Sequence, residues 1–65
     1  MTFTVWELSQ EWREGVQGGK SYPLGEIEAP GLEEAAELAE QNWPDVELFR
    51  MTFGPLAVEW DKNSD

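Results

Sequence analysis

The chain has no histidine and no cysteine, and it carries only 4 Lys and Arg residues against 14 Asp and Glu. Without histidine it lacks the side chain that titrates near neutrality and the commonest metal ligand. Without cysteine it lacks disulfides, a thiolate nucleophile and soft metal ligation. Serine occurs only at Ser9, Ser21 and Ser64, with no imidazole to activate it. A carboxylate pair can perform acid–base work, but 65 residues make a core too thin to enclose a substrate pocket of even roughly 300 Å³. The expectation is a protein that is not an enzyme, with no cofactor and no metal centre.

Two short segments look like ligand loops and fail on spacing. In "GVQGGK", Gly15 to Lys20, the glycine spacing of a phosphate-binding loop is not met and no apolar helix follows. The tail "DKNSD", Asp61 to Asp65, supplies the first three ligand positions of a calcium-binding EF-hand loop without its glycine or closing glutamate. It reads as a frayed acidic terminus.

Long apolar runs are also missing: none approaches the roughly 20 residues that span a bilayer. The opening "MTFTVWELSQ" has neither a basic leader nor an apolar h-region. The expectation is a soluble, unprocessed, cytoplasmic protein. Its formal charge of −10 should repel nucleic acid and anionic membrane surfaces, so neither is expected as a direct partner.

What is present argues for a folded body. Hydrophobic residues make up 40% of the chain, four of them tryptophans, far from the composition that prevents folding. One domain over residues 1–65 is expected, burying only about 60% of its unfolded surface.

The clearest element lies near the C-terminus. "DVELFRMTF" and "PLAVEWDK" flank Gly54 and Pro55, which suit a type II′ turn. A hairpin closed there sets Phe53 opposite Leu56, Met51 opposite Val58 and Phe49 opposite Trp60, all on one apolar face. The same register faces Arg50 with Glu59 and Glu47 with Lys62, and a one-residue slip would lose both patterns.

A helix over Leu32 to Asn42 follows from Leu32, Ala35, Ala36, Ala39 and Trp43 at i, i+3, i+4, i+7 and i+11. Pro30 suits its first turn, and Asn42 with Pro44 its stop. Three turns are marginal alone in water, so the helix must pack, and the hairpin's apolar face is the obvious partner.

"TFTVWEL" and "SYPLGEIEA" read as two further strands, with Ile27 and Ala29 inward and Glu26 and Glu28 outward. Their apolar parity shifts at Val5 and Trp6 and again at Leu24 and Gly25, which implies a bulge or a strand covered on both faces. "REGVQGGKS" between them reads as a flexible connector. The alternative for the N-terminal segment is a helix with Val5, Leu8 and Trp12 on one face. The favoured order is β-β-α-β-β, an α+β domain with one antiparallel sheet and a helix across one face.

Glu47 and Glu59 have cross-strand partners in this scheme, but between Lys20 and Arg50 there is no base at all. That interval holds Glu26, Glu28, Glu33, Glu34, Glu37, Glu40, Asp45 and Glu47. Like-charge neighbours at i,i+3 and i,i+4 on the helix cost about 0.2–0.5 kcal/mol each, and Glu33 and Glu34 recover about 0.3–1 kcal/mol each from the helix dipole. The net penalty is at most ~1 kcal/mol, small beside the ~3–10 kcal/mol expected at this length. An acidic helix can therefore be carried for solubility alone, and a solvated face is one reading of it. The other is a docking strip for a basic site on another protein, with Glu33, Glu37 and Glu40 in one row along the helix, Glu34 among the same acids, and Glu26 and Glu28 in a second row if the strand lies alongside. Such an array can stand in for the phosphates that a nucleic-acid-binding protein recognises.

In size, acidity and the lack of bases along one stretch, the chain resembles the small DNA-mimic proteins with which phages and bacteria block restriction, CRISPR, repressor or polymerase machinery. That resemblance implies an inhibitor or regulator occupying the basic site of a DNA- or RNA-binding protein. The segment "LGEIEAPGLEEAAELA" also resembles the strand-to-helix passage of several small sheet-and-helix families, among them the small structural subunit of the bacterial phenylacetyl-CoA monooxygenase. The alternative function is accordingly a structural or assembly subunit, or a homodimer using the apolar sheet face or an edge strand. Trp43 and Trp60 fit the core. Trp6 and Trp12 are open to two readings, as core or as interface anchors beside Arg13.

Overall fold

The structure is a computed structural model that describes residues 1–15 and 19–63, with Arg13 described by its backbone only. Strand β1 (Thr2–Leu8) leads into a single helical turn, α1 (Gln10–Arg13). Strand β2 (Ser21–Glu28), helix α2 (Leu32–Asn42), β3 (Leu48–Phe53) and β4 (Leu56–Asp61) follow. The four strands form one antiparallel sheet in the order β2-β1-β3-β4. This is the α+β architecture expected from the sequence.

The β3–β4 register is the one that hydrophobic matching dictates: Phe53 pairs Leu56, Met51 pairs Val58, Arg50 pairs Glu59 and Phe49 pairs Trp60. Gly54 turns the chain at φ 57°, and proline cannot follow at positive φ, which leaves the type II′ geometry. Lys62 N donates to Glu47 O at 2.8 Å, carrying the pairing one step beyond the strands. The Lys62 ammonium donates to Pro44 O.

The parity shift in the first two strands has both of its suggested causes. Pairing passes from Val5↔Gly25 to Trp6↔Pro23, so Leu24 is an extra residue bulged out of β2. Pro23 is tolerated because β2 is an edge strand. Beyond the bulge the sheet is covered on both sides: Phe3 and Val5 are buried on the α2 side, and Leu8 and Leu48 on the other. The N-terminal segment is thus a strand followed by one helical turn, with Val5 and Leu8 on opposite faces, and the single-helix alternative is excluded.

The segment expected to be a flexible connector is tied down at its C-terminal end, at Gly19 and Lys20. Ser9 N donates to Lys20 O at 2.9 Å, and Lys20 N donates to Ser9 Oγ at 3.1 Å. Gly19 lies so close to the Trp12 indole that a Cβ there would fall 2.8 Å from Trp12 Cδ1. Val16 to Gly18, the middle of that connector, and Ser64 and Asp65 of the acidic tail lie outside the described residues.

Helix α2 begins and ends where its periodicity predicts, although its N-cap is Gly31, so Pro30 precedes the cap rather than opening the first turn. Ala35 and Ala39 are fully buried. They let the helix approach a sheet surface built from Phe3, Val5, Ile27, Phe49 and Met51. Ala36 and Trp43 pack against the same cluster, and the Trp43 ring lies over Gly25, where a Cβ would stand 3.1 Å away. Leu32, expected in this stripe, is 37% exposed, because the helix starts beyond the end of the sheet surface it covers. The hairpin's apolar face is also incompletely covered: Phe49 and Met51 are buried, but Phe53 and Leu56 beside the turn are 39% and 48% exposed.

Candidate functional site

Three turns of helix with glutamate at positions 33, 34, 37 and 40 place these side chains in different settings. Glu34 sits at the third helical position, and its carboxylate folds back to 2.9 Å from where a Gly31 Cβ would stand. There it lies against the positive end of the helix dipole. Glu40 is half-buried and accepts a hydrogen bond from Trp60 Nε1 at 2.9 Å, while the Trp60 ring stacks on Phe49 with centroids 5.0 Å apart. Glu40 thus ties the end of α2 to β4 as a structural acceptor. Glu33 and Glu37 remain exposed, one turn apart on the side of the helix that Glu40 turns toward β4.

The second expected row lies elsewhere. Ile27 pairs with Phe3 and faces α2, so by strand alternation Glu26 and Glu28 point from the opposite face of the sheet. Glu28 accepts a hydrogen bond from Thr2 Oγ1 across that face. The carboxylates of β2 and of α2 therefore do not form one continuous array, since the sheet separates them.

The two tryptophans proposed as anchors also sit on the face away from α2. Trp6 is half-buried beside Arg50 and donates from Nε1 to Thr52 Oγ1 at 3.3 Å. Trp12, half-buried on α1, receives the Arg50 guanidinium over its ring at 5.6 Å from the centroid. Arg50 also forms an ion pair with Glu59, Nε to Oε2 at 3.3 Å. Its orientation is too oblique for a hydrogen bond, so the contact is Coulombic, and with both partners more than a third exposed it is worth little in water. Both indoles thus act largely as a lid on this face. The Arg13 side chain, proposed as their neighbour, lies outside the described residues. Leu8, Trp12, Leu48, Glu59, Trp60 and Asp61 line a shallow groove of about 200 Å³ there.

Sequence reasoning missed two contacts, Trp60 with Glu40 and Arg50 with Trp12. Both join segments far apart in the chain by side-chain reach, which neither periodicity nor strand register encodes.

Among the described residues no cluster of three or more His, Cys, Asp or Glu side chains could hold a metal ion, and no helix is long and apolar enough to cross a membrane. The concentrated negative charge has a consequence for stability. Raising salt from about 0.01 M to 1 M shortens the screening length from roughly 30 Å to 3 Å. The α2 repulsions it relieves total at most about 1.5 kcal/mol over three like-charge pairs. Salt also screens the dipole stabilisation of Glu33 and Glu34, so the net gain is at most about 1 kcal/mol and Tm should rise by no more than about 4–8 °C. Thermal melts followed by circular dichroism across that range check this, and an unchanged or falling Tm would show the repulsion to be negligible. No family model matches the chain, and no curated protein and no solved structure is significantly similar to it.

Proposed function

We propose that the protein is a cytoplasmic, non-enzymatic binding module that occupies the basic, nucleic-acid-binding surface of another protein, in the manner of an inhibitor or regulator. The observation that supports this reading is the exposed pair Glu33 and Glu37, on a helix with no base anywhere along it. Glu34 adds charge at the N-terminal end, and Glu40, half-buried and bonded to Trp60, adds charge at the other. Because Glu26, Glu28, Trp6 and Trp12 lie across the sheet, one flat partner surface cannot engage them together with α2. In this reading α2 carries the recognition, and the face bearing the tryptophans contributes only where a partner wraps around the sheet edge.

The test is a double charge reversal, Glu33→Lys with Glu37→Lys. Each replacement changes the charge by +2, taking the formal value from −10 to −6. Neither side chain is buried, so the fold should survive with stability within about 1 kcal/mol of the parent. Capture of a basic protein from cell lysate, eluted by rising salt, should be lost in the variant. Undiminished capture would sink the reading. A second reading, a homodimer or assembly subunit, draws on the exposed Leu56 and Phe53. It predicts association that is nearly indifferent to salt.

A further inference from the structure

The two edges of the sheet are treated differently by the sequence. On β2 the edge is guarded: Pro23 removes a backbone donor, the bulge at Leu24 breaks the ladder, and Glu26 and Glu28 stand exposed along it. On β4 there is no proline and no bulge, the only charges are the acids Glu59 and Asp61, and the pairing with β3 runs unbroken from Leu48↔Asp61 to Phe53↔Leu56. In an antiparallel ladder alternate residues direct their N–H and C=O groups to the neighbouring strand. As an edge strand with one neighbour, β4 therefore turns half of its backbone groups outward.

The side chains beside that edge are of two kinds. On the α2 side β4 presents Leu56 and Val58, with Leu56 48% exposed and Phe53 next to it 39% exposed. On the other side it presents Ala57, Glu59 and Asp61. We propose that β4 is a docking edge for an extended segment of another protein, which adds as a further strand with apolar residues at alternate positions and Lys or Arg at those between.

The apolar residues would cover Leu56 and Val58, and the basic ones would lie opposite Asp61 and Glu59 as cross-strand pairs of unlike charge, adding a second cation to Glu59 beside Arg50. Main-chain hydrogen bonds supply affinity in this mode and the alternating side chains supply selectivity. A second copy of this chain is a poor occupant. Pairing β4 with itself would bring Glu59 and Asp61 of both copies to one face and join two bodies of formal charge −10, both unfavourable. A basic strand turns the same charges into attraction.

The inference rests on the reading that the protein acts by binding another protein, but it places the contact on β4 rather than on α2. The probe is a blocked peptide of alternating valine and lysine, as long as β4, titrated into the full chain and followed by amide chemical shifts and hydrogen exchange. A matched peptide with alternate backbone nitrogens methylated keeps every side chain and charge but cannot pair. Expected are shifts and exchange protection centred on β4, with the methylated peptide weaker by about tenfold or more, the equivalent of one or two net hydrogen bonds.

Equal binding of the two peptides, shifts centred on Glu33 and Glu37, or no binding at all would overturn the inference. The first two of these outcomes would leave the proposed role of α2 standing. Sedimentation of the protein alone is the companion measurement. A stable dimer with protected β4 amides would also overturn it, by giving the edge to a second copy.

Discussion

Phe49→Ala should bring the protein to the brink of unfolding. Phe49 is completely buried in β3, an interior strand, and packs in one cluster with Phe3, Val5, Ala39 and Met51. Its ring also supports Trp60, stacked at an interplanar angle of 12°, and Trp60 in turn holds Glu40 at the end of α2. Truncating a buried phenylalanine costs about 3–5 kcal/mol, the transfer term plus the cavity left behind. A chain of this length has about 3–10 kcal/mol in total. With a urea slope near ~1 kcal/mol/M for so small a protein, the midpoint should fall by about 3 M or more. Loss of the stacked ring should also change Trp60 fluorescence before unfolding begins. Phe53→Ala is the control. Phe53 lies in the same strand four residues on and shares its face, but it is 39% exposed and should cost less than about 1.5 kcal/mol. Equal losses at the two positions would mean that the core does not lie where Phe49 places it.

That contrast also shows what the sequence could and could not disclose. The register of the last hairpin was legible because two independent patterns, the apolar pairs and Arg50 with Glu59, agree on one alignment. The bounds of α2 were legible because an alanine-rich 3.6-residue period runs between Gly31 and the Trp43-Pro44 stop. The bulge was legible as a change of parity within β2. What remained hidden depends on how far one element extends over another. Leu32 and Phe53 have the right period for the core and are exposed, Leu32 because α2 starts beyond the end of the sheet surface it covers and Phe53 because α2 does not reach across the turn end of β3 and β4. The grouping of the acids was hidden for a related reason. Whether Glu26 and Glu28 share a side with α2 depends on which face of β2 the helix covers. Ile27 pairs with Phe3 beneath α2, which sends both glutamates to the other face. Glu40 was counted with the exposed row since no sequence rule brings Trp60, twenty residues later, to its carboxylate.

Ala39→Leu is expected to destabilise the protein, although it adds apolar surface at a core position and strengthens the amphipathic pattern of α2. Judged by transfer alone, a larger buried side chain should help by about 0.8 kcal/mol for each added methylene. That gain requires room, and Ala39 has none: it is completely buried, as is Ala35 one turn earlier. The close approach of α2 to the sheet depends on these two small side chains. A leucine would have to lift the helix from Ile27, Phe49 and Met51 or adopt a strained rotamer, and overpacking of this kind costs about 1–3 kcal/mol. Lifting α2 would also disturb two tethers, the bond from Trp60 to Glu40 and the seat of Trp43 over Gly25. The net change should therefore be a loss at the upper part of that range, about 2–3 kcal/mol, read as a drop in the urea midpoint of about 2 M or more. Leu38→Ala on the same helix is the comparison. Leu38 is 36% exposed and alanine is the better helix former, so that variant should stay within about 1 kcal/mol of the parent. A gain in stability from Ala39→Leu would show that α2 sits loosely on the sheet, and the alanine contact would then lose its claim to hold Glu33 and Glu37 in a fixed position.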